Sequence, residues 1–484
     1  MARRGVALGA AVFAISASAR ADPVHHNEVL VGGRALGMGG AATGLAEDAA
    51  SVYYNPAGIA QMGGSSLSAS FQVQALQKIT VDHGLQAAGL ADLKHDEKPS
   101  LAVYVSAIAK FGEADGSGFR RHAVAFSTVN PEQEQLAFGG FAHIDESYAD
   151  LKLDTSDETV WRGLSYAYSL SSRWAFGLSA FWSHRELKHR EAWIFADGVR
   201  SRDYVDSQGS DRNAILADQI RADLRDVKLN ADAAVLRLGV RHDLSPSWRL
   251  GVMLQPPGIP IGASASVAQE RITFGADEPD APAPTYFRSQ KPASAHSPIP
   301  WELRLGGAYL HDDFTLALDV LLHGPTGSAQ HPVVAVGAPA SDDAFGRPPA
   351  MPFLLPTSYY THFVTNVAIG VEGMIGSVVP WATGVFTDFS AAPSIHGPSD
   401  AYAWPDVDRF GVTASVGFRQ KSYNLQIGGA LVLGSGDALV VNSEADASTY
   451  TKSHWQERTF MFFLSGYQRA LEDVGKSVVD SVLK

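Results

Sequence analysis

The stretch Arg409–Gln420, RFGVTASVGFRQ, alternates without a break. Phe410, Val412, Ala414, Val416 and Phe418 share one face of an extended chain, and Gly411, Thr413, Ser415, Gly417 and Arg419 share the other. Such a period of two marks a strand with one bulky apolar face. The pattern recurs outward from this point. Tyr423, Leu425, Ile427, Leu431 and Leu433 oppose Asn424, Gln426, Gly428 and Ala430. Trp174, Phe176, Leu178, Ala180 and Trp182 oppose Ala175, Gly177, Ser179 and Ser183, with Phe181 the bulky exception. Trp301, Leu303, Leu305 and Tyr309 oppose Glu302, Arg304, Gly306 and Ala308.

A soluble sandwich alternates too, so length and connections decide. These runs reach about ten to thirteen residues, which suits a tilted membrane crossing better than an ordinary strand. Trp161, Trp174, Trp301, Trp381 and Tyr467 sit near strand ends, where amphipathic rings would meet the membrane–water interface. Strands are expected at 66–78, 100–111, 121–130, 158–170, 174–187, 229–242, 247–275, 300–310, 313–323, 362–372, 380–390, 409–420, 422–434 and 456–467. The gaps between them alternate long and short. Residues 171–173, 244–246 and 311–312 are short gaps; 188–228, 276–299, 324–361 and 435–455 are long. Short turns on one side, long loops on the other and an even strand count describe an outer-membrane barrel of about 14 strands. Pro256, Pro257 and Pro260 interrupt 247–275, which reads as one bent strand, since proline removes a ladder donor.

The chain has 484 residues, no cysteine and a formal net charge of −13. This excludes disulfides, thiolate metal sites and a thiol nucleophile, and gives no basic footprint for nucleic acid. Mean hydropathy near zero is uninformative, because an alternating barrel averages out. At the N-terminus, Arg3 and Arg4 precede an apolar run from Gly5 to Ile15 and the small-residue site Ala19-Arg20-Ala21. This reads as a cleaved signal peptide over 1–21. No other segment has the length of a transmembrane helix.

Residues 25–62, HHNEVLVGGRALGMGGAATGLAEDAASVYYNPAGIAQM, do not alternate. They are small, glycine-rich and precede the first strand, and the small faces of the strands leave room for them in a lumen. Here the sequence resembles the FadL-type outer-membrane transport proteins. The resemblance rests on Gly33-Arg34-Ala35-Leu36-Gly37-Met38-Gly39-Gly40-Ala41, then Asp48, then Asn55-Pro56-Ala57, which look like that family's N-terminal hatch. It continues in LSYAYSLSSRWAFGLSAFW within Trp161–Trp182, in Pro298–Val320, in VFTDFSAAP at 385–393 and in Pro405-Asp406-Val407-Asp408-Arg409-Phe410.

The resemblance implies a fourteen-stranded barrel in the outer membrane of a Gram-negative bacterium, closed by a hatch at 22–65, with the barrel at 66–467. Its ligands would be hydrophobic: long-chain fatty acids or hydrocarbons, taken up passively without a cofactor or metal. Gly37, Gly39, Gly40, Asn55, Pro56 and Ala57 would be the hatch and gating residues. Asn130 and Pro131, after the third strand, would mark a lateral opening. The chain departs from the family at its end, where 468–484 follow the last strand; Leu471, Val474, Val478 and Val482 recur at helical spacing and predict a periplasmic helix. Nothing in the residues indicates an oligomer.

The same residues bear on other chemistry. Gly37-Met38-Gly39-Gly40-Ala41-Ala42 fits a dinucleotide fingerprint, but no βαβ unit surrounds it. His25, His26, His184 and His189 are scattered, whereas a metal needs three or four converging ligands. His122 with Ser127, or His362 with Ser358, could serve a barrel lipid hydrolase, yet no G-x-S-x-G elbow or orienting acid stands out. An aqueous or structural porin is the nearer alternative, and its lumen would be lined with charge.

Overall fold

A computed structural model describes residues 24–26, 29–45, 47–82, 93–95, 100–116, 118–144, 147–197, 200–205, 211–216, 219–274, 285–336, 354–420, 423–441 and 450–469. The signal-peptide expectation falls outside these residues, as does the C-terminal helix from 470 onward, while Gln468 and Arg469, expected in that tail, belong to the last strand.

Alternation produces strands at every expected position. The wall runs through β1 (Ser66–Val81), β2 (Ser100–Ala114), β3 (Arg120–Ile144), β4 (Ser147–Ser169), β5 (Trp174–Asp197) and β6 (Gln219–Asp243). It continues through β7, in two pieces (Trp248–Gln255 and Ile259–Phe274), and β8, also in two (Thr285–Ala293 and Glu302–Leu310). Then come β9 (Phe314–His323), β10 (Val364–Ile375), β11 (Val379–Asp388), β12 (Asp406–Arg419), β13 (Tyr423–Val441) and β14 (Tyr450–Arg469). Neighbours pair antiparallel in this order, and β14 returns to β1 from Ser66↔Arg469 to Val81↔Trp455, so the sheet closes with 14 strands. Both pieces of β7 pair with β6, which makes 248–274 one bent wall strand.

Which face turns inward follows from burial. On β4, Ser165, Ala167 and Ser169 are buried, while Leu164 is 66% exposed. On β12 and β13, Phe410, Val412, Val416, Phe418, Leu425, Ile427 and Leu433 all lie on the exposed face, with Thr413, Ser415 and Gln426 buried behind them. Leaving such a side chain in water forgoes about 1.5–3 kcal/mol. Even half-exposed, this short set would forgo on the order of 10 kcal/mol, comparable to the whole net stability of a domain. The belt is stable only against hydrocarbon, so the barrel is transmembrane.

The short-gap end has tight turns. Ser171 N donates to Trp174 O, Ser245 N to Trp248 O and His311 N to Phe314 O. The other end differs from expectation. β3 continues to Ile144 and β4 starts at Ser147, while β5 continues to Asp197 and β6 starts at Gln219. Between β5 and β6 stands a further hairpin, Arg200–Val205 against Asp211–Leu216, paired from Val205↔Asp211 to Arg200↔Leu216. The expected loop at 188–228 is therefore mostly sheet. Beyond the membrane the outward face turns from apolar to charged, with Glu186, Lys188 and Arg190 on β5, and the alternation that marks a strand fades. Around β9–β11 the wall stops early, at His323, Val364 and Asp388. The wall is thus taller on one side.

Residues 29–62 lie inside the barrel, apart from position 46, which is outside the described residues. They form α1 (Gly33–Gly37), α2 (Ser51–Tyr54) and a 3-10 turn (Pro56–Gln61). Val31, Ala35, Val52, Ala57 and Ile59 share one buried cluster with Ile108, Ala125, Val129 and Val235 from the wall. Trp161 belongs to that cluster and is 3% exposed, so it faces the lumen, not the membrane interface expected for it. Alternation assigns residues to faces without saying which face is inside.

Candidate functional site

The site is the lumen, built in three levels. At the short-turn end an open vestibule of about 620 Å³ is lined by Arg34, Glu47, Asp48, Glu372 and the turn residues His311–Phe314. In the middle sits the N-terminal segment. Toward the long-connection end some of the inward positions gather into an apolar cluster, beside buried polar ones such as His189 and Glu191.

The segment is tied to the wall by polar contacts. Asn55 is fully buried; its Oδ1 accepts from Ala57 N at 3.2 Å, and its Nδ2 donates to Thr43 O at 3.1 Å and to Val240 O at 2.9 Å. Pro56 opens the 3-10 turn, where a missing N–H costs nothing. Wall glycines admit this turn: a Cβ on Gly177 would lie 2.2 Å from Pro56 C, and one on Gly239 would lie 2.3 Å from Asn55 Oδ1. Gly39 and Gly40 hold φ of 65° and 90°, a region that disfavours other residues. Gly37 is helical, and what it supplies is space, since a Cβ there would meet Ser415 Oγ at 2.4 Å.

Ion pairs complete the attachment. Arg237 donates to Glu302 at 2.8 Å, Arg304 also pairs with Glu302, and the Arg237 guanidinium lies 4.0 Å from the centre of the Tyr53 ring. Arg34 pairs with Glu372, Glu47 accepts from Arg241 at 2.9 Å, and Arg249 forms an ion pair with Glu47 at 2.7 Å. Asp319 accepts from the backbone of Ala42 and Thr43 at 2.9 and 2.8 Å. Burial alone would raise the Glu47 carboxyl, but Arg241 and Arg249 outweigh it and hold it below its usual value. Burial raises Asp48, against the opposing pull of Arg34. Charges removed from water this way are costly to separate, so the segment has one strongly preferred seat.

Above the segment, Val81, Leu136, Phe138, Leu151, Leu153 and Trp455 face inward and pack with Leu354, Tyr402 and Trp404 from the connections. No charged side chain lines this chamber among the described residues. The sequence hides this apolar lining because it occupies the same strand face as Thr155 and Asp157 a few residues on.

Asn130 and Pro131 sit where the ladders on either side of β3 are interrupted. The β2–β3 ladder ends at Tyr104↔Val129, and the β3–β4 ladder skips between Val129 and Glu132. Asn130 Nδ2 donates to Glu158 Oε1 at 3.0 Å. The histidines considered as ligands do not converge: His25 reaches Val407 O, His26 stacks on His323, His184 meets Asp232 and His189 meets Thr155. His122 is hydrogen-bonded to Tyr166, and Ser127 is buried on the other face of the same strand. His362 and Ser358 are both exposed at the long-connection end.

The same architecture occurs in solved structures. A Pseudomonas aeruginosa FadL homologue is similar over 94% of this chain and 100% of its own, with a TM-score of 0.56 and 12% identity. The fold is that of the FadL-type channels. The Pseudomonas putida toluene transporter TodX matches 91% of this chain and 98% of its own at TM-score 0.55 and 12% identity. The Ralstonia pickettii toluene transporter TbuX does so over 91% and 98%, at 0.53 and 13%. No family model matches the sequence, and no curated protein matches it. At these identities the FadL-type likeness is one of fold, and the ligand must be argued from the lumen.

Proposed function

We propose that this protein is an outer-membrane channel for passive uptake of hydrophobic compounds, such as hydrocarbons or long-chain fatty acids. One observation carries the reading: part of the inward face at the long-connection end forms an apolar chamber with no charged side chain among its described lining residues, where an aqueous pore would be polar. An apolar solute entering there exchanges water for side chains such as Phe138, Leu153 and Trp455, gaining about 25 cal/mol per Å² of apolar surface. The N-terminal segment then acts as a hatch. Asn55, Pro56 and Ala57 anchor it, Gly39 and Gly40 let the neighbouring chain shift, Gly37 gives it room against Ser415, and ligand favours the shifted arrangement by binding it more tightly. The wall break at Asn130 and Pro131 is the candidate lateral opening. The names of the similar structures, toluene transporters among them, agree with this solute class.

Uptake of labelled toluene and labelled oleate by cells that depend on this protein tests the reading. Uptake of either above that of cells lacking the protein supports it. Steady ion conductance in planar bilayers, with no hydrophobic uptake, would establish a porin instead.

A further inference from the structure

A second wall break lies between β7 and β8. Their ladder runs from Trp248↔Tyr309 to Gln255↔Glu302, then resumes only at Ala265↔Ala293. Across the interval, Gly258 N donates to Ile299 O at 2.9 Å and Gln255 Nε2 to Pro300 O at 3.1 Å. Pro256, Pro257 and Pro260 on one edge, and Pro298 and Pro300 on the other, have no N–H to offer. The β8 edge is also held elsewhere. Ala295 bridges to Val336, His296 N donates to Ala335 O at 3.2 Å, and Ser297 Oγ accepts from Arg185 at 2.8 Å. Meanwhile β7 stays paired to β6 from Ile259 onward, so the break is one-sided.

Its surroundings connect inside to outside. Ser297–Pro300 line an internal pocket with Trp161 and Ala233 and with the charged Glu132, Arg185 and Asp232. On the other side Ile259 and Ile261 are 58% and 64% exposed. Pro260 pairs opposite the inward-facing Ala233, and Ala263 opposite the inward-facing Ala231, yet both are exposed. A strand exposed on both faces within a closed wall has lost its cover. Along β7 the run of exposed apolar residues ends here and Ser264 and Ser266 follow, which sets the break at the outer border of the membrane belt.

We propose that this break is a lateral portal, through which neutral apolar molecules pass between the internal pocket and the outer membrane leaflet. It rests on the reading of the protein as a hydrophobic channel. It is separate from the break at Asn130 and Pro131, which lies on the far side of β4, β5 and β6.

The test uses the cysteine-free background. Gly258→Cys with Ile299→Cys places two thiols across the break, since a Cβ at 258 would lie near Ile299 Cβ. In cells, oxidation of the pair should lower uptake of labelled toluene severalfold, and reduction should restore it. Equal uptake by oxidised and reduced protein overturns the portal while leaving the channel intact. If neither the reduced variant nor the unaltered protein takes up toluene or oleate, the channel reading falls and the portal with it. Ile299→Cys alone gives a second readout in proteoliposomes. A bilayer-dissolved pyrene maleimide should label it faster than a charged, water-confined maleimide, and the reverse order overturns the portal.

Discussion

Asn55 shows how much one side chain can hold. It joins the N-terminal segment to itself at Thr43 and Ala57 and to the wall at Val240. Asn55→Ala leaves the Ala57 N–H without that acceptor, and a buried unpaired donor costs about 1–3 kcal/mol. The barrel should still insert, while hydrogen exchange across 43–57 speeds up by roughly tenfold or more. Unchanged exchange would mean that the anchor lies elsewhere. The Asn-Pro pair is legible in the sequence because both residues have local backbone preferences. The Arg237–Glu302–Arg304 cluster is not, because Arg237 and Glu302 stand 65 residues apart and meet only through strand register. Its one signal is the presence of Glu302 and Arg304 on the small-residue face of a strand.

Strands behave differently inside and beyond the membrane belt. Their short-turn ends are legible because hydrocarbon imposes an apolar outer face, and the starts of β5, β9 and β13 lie within a residue of expectation. Their far ends are not, because water outside and a mixed lining inside leave no periodic contrast. There β4 carries the apolar chamber on Leu151 and Leu153. Leu153→Ser removes contact area from any apolar solute in that chamber. Its affinity for toluene should fall by roughly tenfold, the equivalent of about 1.4 kcal/mol. Equilibrium binding to purified protein measures this, and unaltered affinity would move the binding site away from the chamber.

The whole molecule is a closed sheet around a segment that precedes it in the chain. Deleting 27–62 should leave an inserted barrel that conducts ions in planar bilayers, where the intact protein conducts little. A deleted protein that inserts normally yet conducts no more than the intact one would show that the segment does not close this barrel. Because the segment's partners on β6, β7, β8 and β10 are made after it, its seat cannot exist when it first leaves the ribosome. The seam between β1 and β14 joins the two ends of the sheet. Once that seam zips, no other strand pair need open for the barrel to be complete, and whatever lies within is enclosed. The order expected of biogenesis is that the barrel is wound around its own N-terminus, since a chain that sealed early would have to take up its filling through the open vestibule.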